Sequence, residues 1–119
     1  MKILLIEDSK EIADMLIWSF KDYSVTHILN PTLLPKNEHF DLIITDFQMP
    51  EMTGLQFTER YCQREDAAPV LMYSGTEGIA RTFVELGGEQ FFLKDIDGFK
   101  QLKRAVFGYA QALHKRGSK

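Results

Sequence analysis

Four short apolar runs, each ending in chemically active residues, constrain this chain more than any other feature. They are Ile3-Leu4-Leu5-Ile6, Leu42-Ile43-Ile44-Thr45, Val70-Leu71-Met72-Tyr73 and Gln90-Phe91-Phe92-Leu93. Each is rich in β-branched or aromatic residues and bounded by polar residues or glycine, the pattern of a strand buried on both faces. In a parallel sheet the C-terminal ends of the strands open on one edge, and ligands bind in the crevice there. Just past these ends stand Glu7 and Asp8, Asp46, Ser74 and Lys94. The sequence therefore aims three carboxylates, a hydroxyl and an ammonium at one place.

Helical patterns separate the strands. Ser9 is placed to cap a helix over about Lys10 to Phe20, with Ile12, Met15, Leu16 and Phe20 as its buried stripe. Trp18 falls off that stripe, as a partly packed flank residue or an exposed docking aromatic. Ser24 to Leu29 reads as the second strand. Pro31 and Pro35 leave little room for a regular helix before the third, so one turn or so of helix or an irregular crossover is expected, with Leu33, Leu34 and Phe40 plugging the sheet. Further helices are expected over Leu55 to Arg64 and over Thr76 to Leu86, the latter ended by Gly87-Gly88. Asp97 is placed to cap the last, where Leu102, Val106, Tyr109 and Leu113 recur at helical spacing. Phe107 lies off that stripe, either partly packed or an interface anchor. The order predicts a doubly wound α/β domain with a five-stranded parallel sheet, flavodoxin-like, with a reduced second helix, over residues 1–119 as one unit.

Composition narrows the classes of partner. With 119 residues, 45% of them hydrophobic, the chain can bury a core without staples. A net charge of -3 argues against broad contact with a nucleic-acid backbone. His114-Lys115-Arg116 and Lys119 read as a solvated helix end. Cys62 is the only cysteine, so no internal disulfide forms; it reads as a small packed hydrophobe in a reducing compartment. No apolar run approaches the roughly 20 residues of a membrane helix, and no leader pattern precedes Ile3. A soluble cytoplasmic protein is expected, without nucleic-acid or membrane partners.

Three converging carboxylates repel one another unless a cation joins them, and oxygen-only ligands with open positions suit Mg²⁺. Asp46 has two roles open to it: metal ligand alone, or nucleophile that takes a phosphoryl group. Mg²⁺, Lys94 and the Ser74 hydroxyl are suited to neutralising the oxygens of a phosphoryl transition state, and Gly75 removes bulk beside them. No residue resembles a strong general base, which suits transfer from an already activated phosphate.

These residues resemble the receiver domain of two-component response regulators, of the CheY-like type, over essentially the whole chain. The carriers are Leu4-Leu5-Ile6-Glu7-Asp8-Ser9, the stretch from Leu42 to Gly54 with its Asp46-Phe47-Gln48-Met49-Pro50-Glu51-Met52-Thr53-Gly54, then Met72-Tyr73-Ser74-Gly75 and Phe91-Phe92-Leu93-Lys94. The resemblance implies that Asp46 is the phosphoacceptor, charged by a histidine kinase or histidine phosphotransfer protein. It implies that Glu7, Asp8, Asp46 and the backbone carbonyl of Gln48 hold Mg²⁺. Ser74 would move toward the phosphoryl group, Lys94 would pair with it, and Phe91 would repack. Gln48 and Thr76 match positions that tune phosphate lifetime.

Two departures stand out. Asp95 occupies the place after the lysine where the family usually carries proline, often through a cis peptide. A cis bond before a non-proline residue costs about 2.5–4 kcal/mol, so the loop is expected to be trans or strained, with Asp95 opposing phosphate or pairing with Lys94. The lengths around the second and fourth family helices are reduced, which implies unusual partners or a homodimer. The leading expectation is a stand-alone receiver that signals through an unknown protein target, a switch rather than a metabolic enzyme. The alternative is a pseudo-receiver that binds partners without phosphorylation. A haloacid-dehalogenase-type phosphatase fits poorly, because its Asp-x-Asp follows the first strand, where this chain has Glu7-Asp8-Ser9. A flavin-binding flavodoxin fits poorly too, since acidic residues there would repel a phosphate.

Overall fold

A computed structural model describes residues 1–117. Its strands are β1 (Lys2–Ile6), β2 (Ser24–Ile28), β3 (Leu42–Thr45), β4 (Val70–Ser74) and β5 (Gln90–Leu93). They pair in parallel in the order β2-β1-β3-β4-β5. Around them lie α1 (Lys10–Ser19), α2 (Gly54–Tyr61), α3 (Ala80–Glu85) and α4 (Ile96–Gly117). The doubly wound architecture is the one expected. The winding reverses between β1 and β3, so the crevice of such a sheet opens between their C-terminal ends.

The uninterrupted apolar runs follow from cover on both faces. Ile3, Leu5, Leu42, Ile44, Leu71 and Tyr73 pack with Leu16 and Phe20 of the α1 region and with Leu102 and Val106 of α4. The alternating positions Leu4, Ile6, Ile43, Val70 and Met72 pack with Phe57, Tyr61 and Phe83 from α2 and α3.

The second helix is reduced to a single 3₁₀ turn, Pro31–Leu33, whose entry is held by the Asn30 side chain accepting from the Thr32 amide at 2.9 Å. Phe40 is buried as expected and Leu34 packs against the core, but Leu33 is 54% exposed. Within the turn it is Pro31 that is buried, and Leu33 projects to solvent. On α1 the buried stripe runs through Ala13, Leu16 and Phe20, with Ile12 on its flank and Met15 exposed. The small Ala13 is fully buried on the core-facing side, and Met15 lies off that line. Trp18 is 69% exposed, its ring covered by the Lys21 ammonium 4.0 Å from the centroid. Phe107 is also exposed rather than partly packed.

The helix expected from Thr76 begins only at Ala80, because the chain first makes a tight turn at Ser74–Thr76 and passes through Gly78 at φ 84°. It ends as expected at Gly87, at φ 109°, with Gly88 N–H donating to Phe83 O and Gly87 N–H to Val84 O. That pair of bonds closes a helix on a left-handed residue. The last helix starts earlier than Asp97, which lies within its first turn. The cap is Asp95, whose Oδ1 accepts from the Gly98 amide at 2.6 Å. The final turn carries His114, Lys115 and Arg116 at the negative end of the helix dipole; Lys119 lies outside the described residues. Cys62 is half-buried, its thiol donating to Gly87 O at 3.5 Å, with its pKa raised by burial. Among the described residues no helix is long and apolar enough to cross a membrane.

Gly54 opens α2 directly against the end of β3. A Cβ there would collide with the Asp46 carbonyl and lie 2.8 Å from Met72 Cε. Alanine ordinarily improves a helix by about 1 kcal/mol over glycine. Gly54→Ala should instead lower stability by about 1–3 kcal/mol through overpacking, read as a lower urea midpoint at unchanged slope. A midpoint at or above wild type would show that the loop gives way without cost.

Candidate functional site

The sheet ladder continues one residue past three of the strands, and that extension places the polar groups. Glu7 N–H donates to Ile28 O at 3.1 Å, Asp46 N–H to Ile6 O at 3.0 Å and Lys94 N–H to Ser74 O at 3.0 Å. Each site residue thus begins from a backbone position held by the neighbouring strand.

Glu7, Asp8 and Asp46 come together: one carboxylate oxygen from each lies within 4.8 Å of the others. Glu7 is 1% exposed and Asp46 8%, whereas Asp8 faces solvent. The Lys94 ammonium bridges the two buried carboxylates, 2.9 Å from Glu7 Oε1 and 3.0 Å from Asp46 Oδ2. The remaining oxygens are also engaged. Asp46 Oδ1 accepts from the Phe47 amide at 2.7 Å, and Glu7 Oε2 from the Ser9 amide at 3.1 Å. Ser9 caps α1, as expected, by accepting from the Ile12 amide.

Ser74 is buried at the end of β4, but its hydroxyl accepts from the Thr76 amide at 3.1 Å and makes no hydrogen bond to Asp46. Gln48 is exposed two residues past Asp46, and its side chain makes no hydrogen bond to the cluster. Phe91 is half-buried against the α2–α3 side of the core. Asp95 neither pairs with Lys94 nor strains its peptide: no cis bond occurs among the described residues, and the carboxylate turns to the helix cap.

Two contributors escaped the sequence reading. His27 on β2 brings Nε2 to 2.7 Å from the Glu7 carbonyl; a carbonyl only accepts, so the imidazole donates and ties the β1–α1 turn to β2. No local signal marks a strand histidine for this. Thr45 Oγ1 donates to the Asp46 carbonyl at 2.9 Å, and that hydroxyl sat unremarked inside an apolar run.

Electrostatics follow from burial. The Glu7 carboxyl is pushed up to about 7, chiefly by burial and further by the Asp46 charge, against hydrogen bonds from Lys94 and the Ser9 amide. Burial disfavours the Lys94 ammonium, but its hydrogen bonds to Glu7 and Asp46 outweigh this and raise its pKa above the usual lysine value. Against three carboxylates Lys94 supplies one positive charge. A hard divalent cation fits the remainder, since the donor set is all oxygen and the carboxylates already converge.

Comparison with known proteins agrees with this geometry. The sequence profile of the response regulator receiver domain matches residues 3–107. The Regulator of RpoS of Escherichia coli strain K12 is 32% identical over 113 residues, covering 89% of this chain and 34% of that protein. The chain thus spans about a third of the length of that curated relative. The receiver domain of the Francisella response regulator 1452 superposes with a TM-score of 0.81 at 19% identity, covering 93% of this chain and 98% of that one. Response regulator TrrA from Thermotoga maritima, solved in complex with Mg²⁺ and BeF, gives a TM-score of 0.80 at 20% identity, covering 91% and 97%. At these identities the two structures establish the fold.

The Glu7 shift has a stability consequence in the metal-free protein. Between its ordinary value of 4.5 and about 7 the folded chain holds this proton more tightly than the unfolded chain does. Stability should therefore fall as pH rises through that window. The loss attributable to Glu7 is on the order of 2–3 kcal/mol and should be absent from Glu7→Gln in urea titrations at successive pH values. Parallel pH profiles for the two chains would contradict the assignment.

Proposed function

Because this chain belongs to the response regulator receiver family, we propose that it is a phosphorylation switch whose acceptor is Asp46. The donor is the phosphohistidine of a histidine kinase or phosphotransfer protein, and the output is phosphorylation-dependent binding of a downstream protein. The observation that supports this most is the Lys94 ammonium at 3.0 Å from Asp46 Oδ2, with the Glu7 and Asp8 carboxylates alongside.

In the proposed step an Asp46 carboxylate oxygen attacks phosphorus, the P–N bond to the donor imidazole breaks, and the imidazole leaves with the bonding pair and takes up a proton. The product is a mixed anhydride on Asp46, returned to the carboxylate when water attacks phosphorus and inorganic phosphate departs. Glu7, Asp8, Asp46 and the Gln48 carbonyl would hold Mg²⁺, which supplies positive charge to the phosphoryl oxygens. Lys94 orients the Asp46 carboxylate and supplies charge to the transferring group. The step asks for no general base, since a carboxylate needs none to attack an activated phosphate.

Activation is a shift between two states, driven by whatever contacts the phosphoryl group makes better in one of them. Ser74 suits this role. Its hydroxyl is engaged by the Thr76 amide rather than by Asp46, so a phosphoryl oxygen offers it a new partner and draws the β4–α3 loop inward. Phe91, half-buried beside that loop, carries no hydroxyl and would respond by repacking. The proposed receiver unit is residues 1–119, of which the family match covers 3–107.

Intact mass after incubation with acetyl phosphate tests the acceptor. A single phosphoryl adduct should form with Mg²⁺, vanish without it, and be absent from Asp46→Asn. No adduct and no Mg²⁺ binding would leave a module that binds partners independently of phosphorylation. Asp8→Asn should weaken Mg²⁺ binding by about tenfold or more, the cost of about 1.4 kcal/mol or more in site charge, measured by calorimetry. An unchanged titration would remove Asp8 from the metal site.

A further inference from the structure

We propose that Asp95 is a positioning residue for Lys94: its helix cap locks the turn from which the lysine stem departs, and so sets where the ammonium stands. The inference rests on the switch reading above.

Lys94 is held from both sides along the backbone. Its own N–H donates to Ser74 O at 3.0 Å, and the next N–H, that of Asp95, donates back to Leu93 O at 2.8 Å. The second bond spans two residues and closes a tight turn with Lys94 at its centre. A proline in the place of Asp95 would have no N–H to close it.

Asp95 then fastens this turn to α4. Its Oδ1 accepts from Gly98 N–H at 2.6 Å and its carbonyl accepts from Phe99 N–H at 2.9 Å, the two bonds of a helix N-cap. The attachment is close, since a Cβ on Gly98 would collide with the Leu93 carbonyl. Leu93 O therefore sits against the first turn of the helix while accepting from Asp95, and the strand end, the turn and the helix start form one fixed unit.

The lysine stem is long and rich in rotamers. Its ammonium nevertheless meets Glu7 at 2.9 Å and Asp46 at 3.0 Å. A stem leaving a fixed backbone reaches both carboxylates; one leaving a loosened turn samples other endpoints. The Asp95 carboxylate makes no ion pair with Lys94, so its effect passes through the backbone. As a bare negative charge near an incoming anion it would act in the opposite direction, and this makes the two roles separable.

The test is beryllofluoride binding to the full chain with saturating Mg²⁺, measured by calorimetry. Wild type, Asp95→Ala and Asp95→Asn are compared, with Asp95→Ala repeated on Lys94→Met. Asp95→Ala should weaken binding by about tenfold, the scale of a lost cap. Asn caps as well as Asp and carries no charge, so Asp95→Asn should bind within about twofold of wild type or more tightly. On Lys94→Met, Asp95→Ala should cause no further loss, because the residue it positions is gone. Tighter binding by both Asp95 variants would reduce Asp95 to a charge, and additive losses on Lys94→Met would reduce it to general stability; either overturns the proposal. Unchanged binding by Asp95→Ala, with wild type binding, overturns the positioning role alone. A wild type that binds no beryllofluoride overturns the switch reading and this role with it. If Asp95→Ala does not fold by circular dichroism, Asp95→Gln, whose longer arm misplaces the acceptor, takes its place with the same expectation.

Discussion

The Lys94 ammonium lodged between two buried carboxylates is the interaction on which the rest of the arrangement depends. Glu7 is 1% exposed and Asp46 8%, and withdrawing ions from water costs several kcal/mol each unless they are paired and hydrogen-bonded. Lys94 offsets part of that cost from β5, two strands away from β3. Its stem must cross β4 and also reach back along the sheet, because β4 and β5 run further than β3. The register sets Thr45 opposite Met72, Met72 opposite Phe91 and Ser74 opposite Leu93, so Lys94 starts beyond the level of Asp46. A slip by one residue would turn every core side chain over and remove the lysine from reach.

Rigidity in the site is inherited from the sheet. The first site residue past β1, β3 and β5 donates its amide to an adjacent strand, and Thr45 and His27 add side-chain donors to the Asp46 and Glu7 carbonyls. The groups holding charge are therefore fixed, and the Ser74 hydroxyl bonds to the Thr76 amide rather than to any of them. Electrostatically the site is unfinished: one ammonium serves three carboxylates, and Glu7 keeps its proton to about pH 7.

Much of this was legible in the chain itself. The runs at Ile3–Ile6, Leu42–Thr45, Val70–Tyr73 and Gln90–Leu93 read as buried parallel strands from their shortness and β-branched or aromatic content, and residues at their ends converge by topology. Ser9, Pro31 with Pro35, and Gly87-Gly88 announced a helix start, a reduced crossover and a helix end through local backbone chemistry. The errors arose where two local signals competed. Asp95 and Asp97 are both good caps, and only the fit of Gly98 against Leu93 O selects Asp95. Thr76 opens an acceptable helical pattern, but the Ser74 hydroxyl captures its amide. Met15 and Ala13 both suit a buried stripe, and the fold buries Ala13 fully while leaving Met15 36% exposed.

The sequence by itself determined the fold class, the edge of the sheet where chemistry gathers and the residue types gathered there, because hydrophobic periodicity and strand termini are local properties. Tertiary structure alone decided which carboxylates are buried, that Lys94 joins Glu7 to Asp46, that His27 braces Glu7, and that Asp95 caps the helix rather than pairing with the lysine. Those outcomes depend on distances between atoms far apart in the chain and on how much water burial removes, and both exist only once the strands are in register.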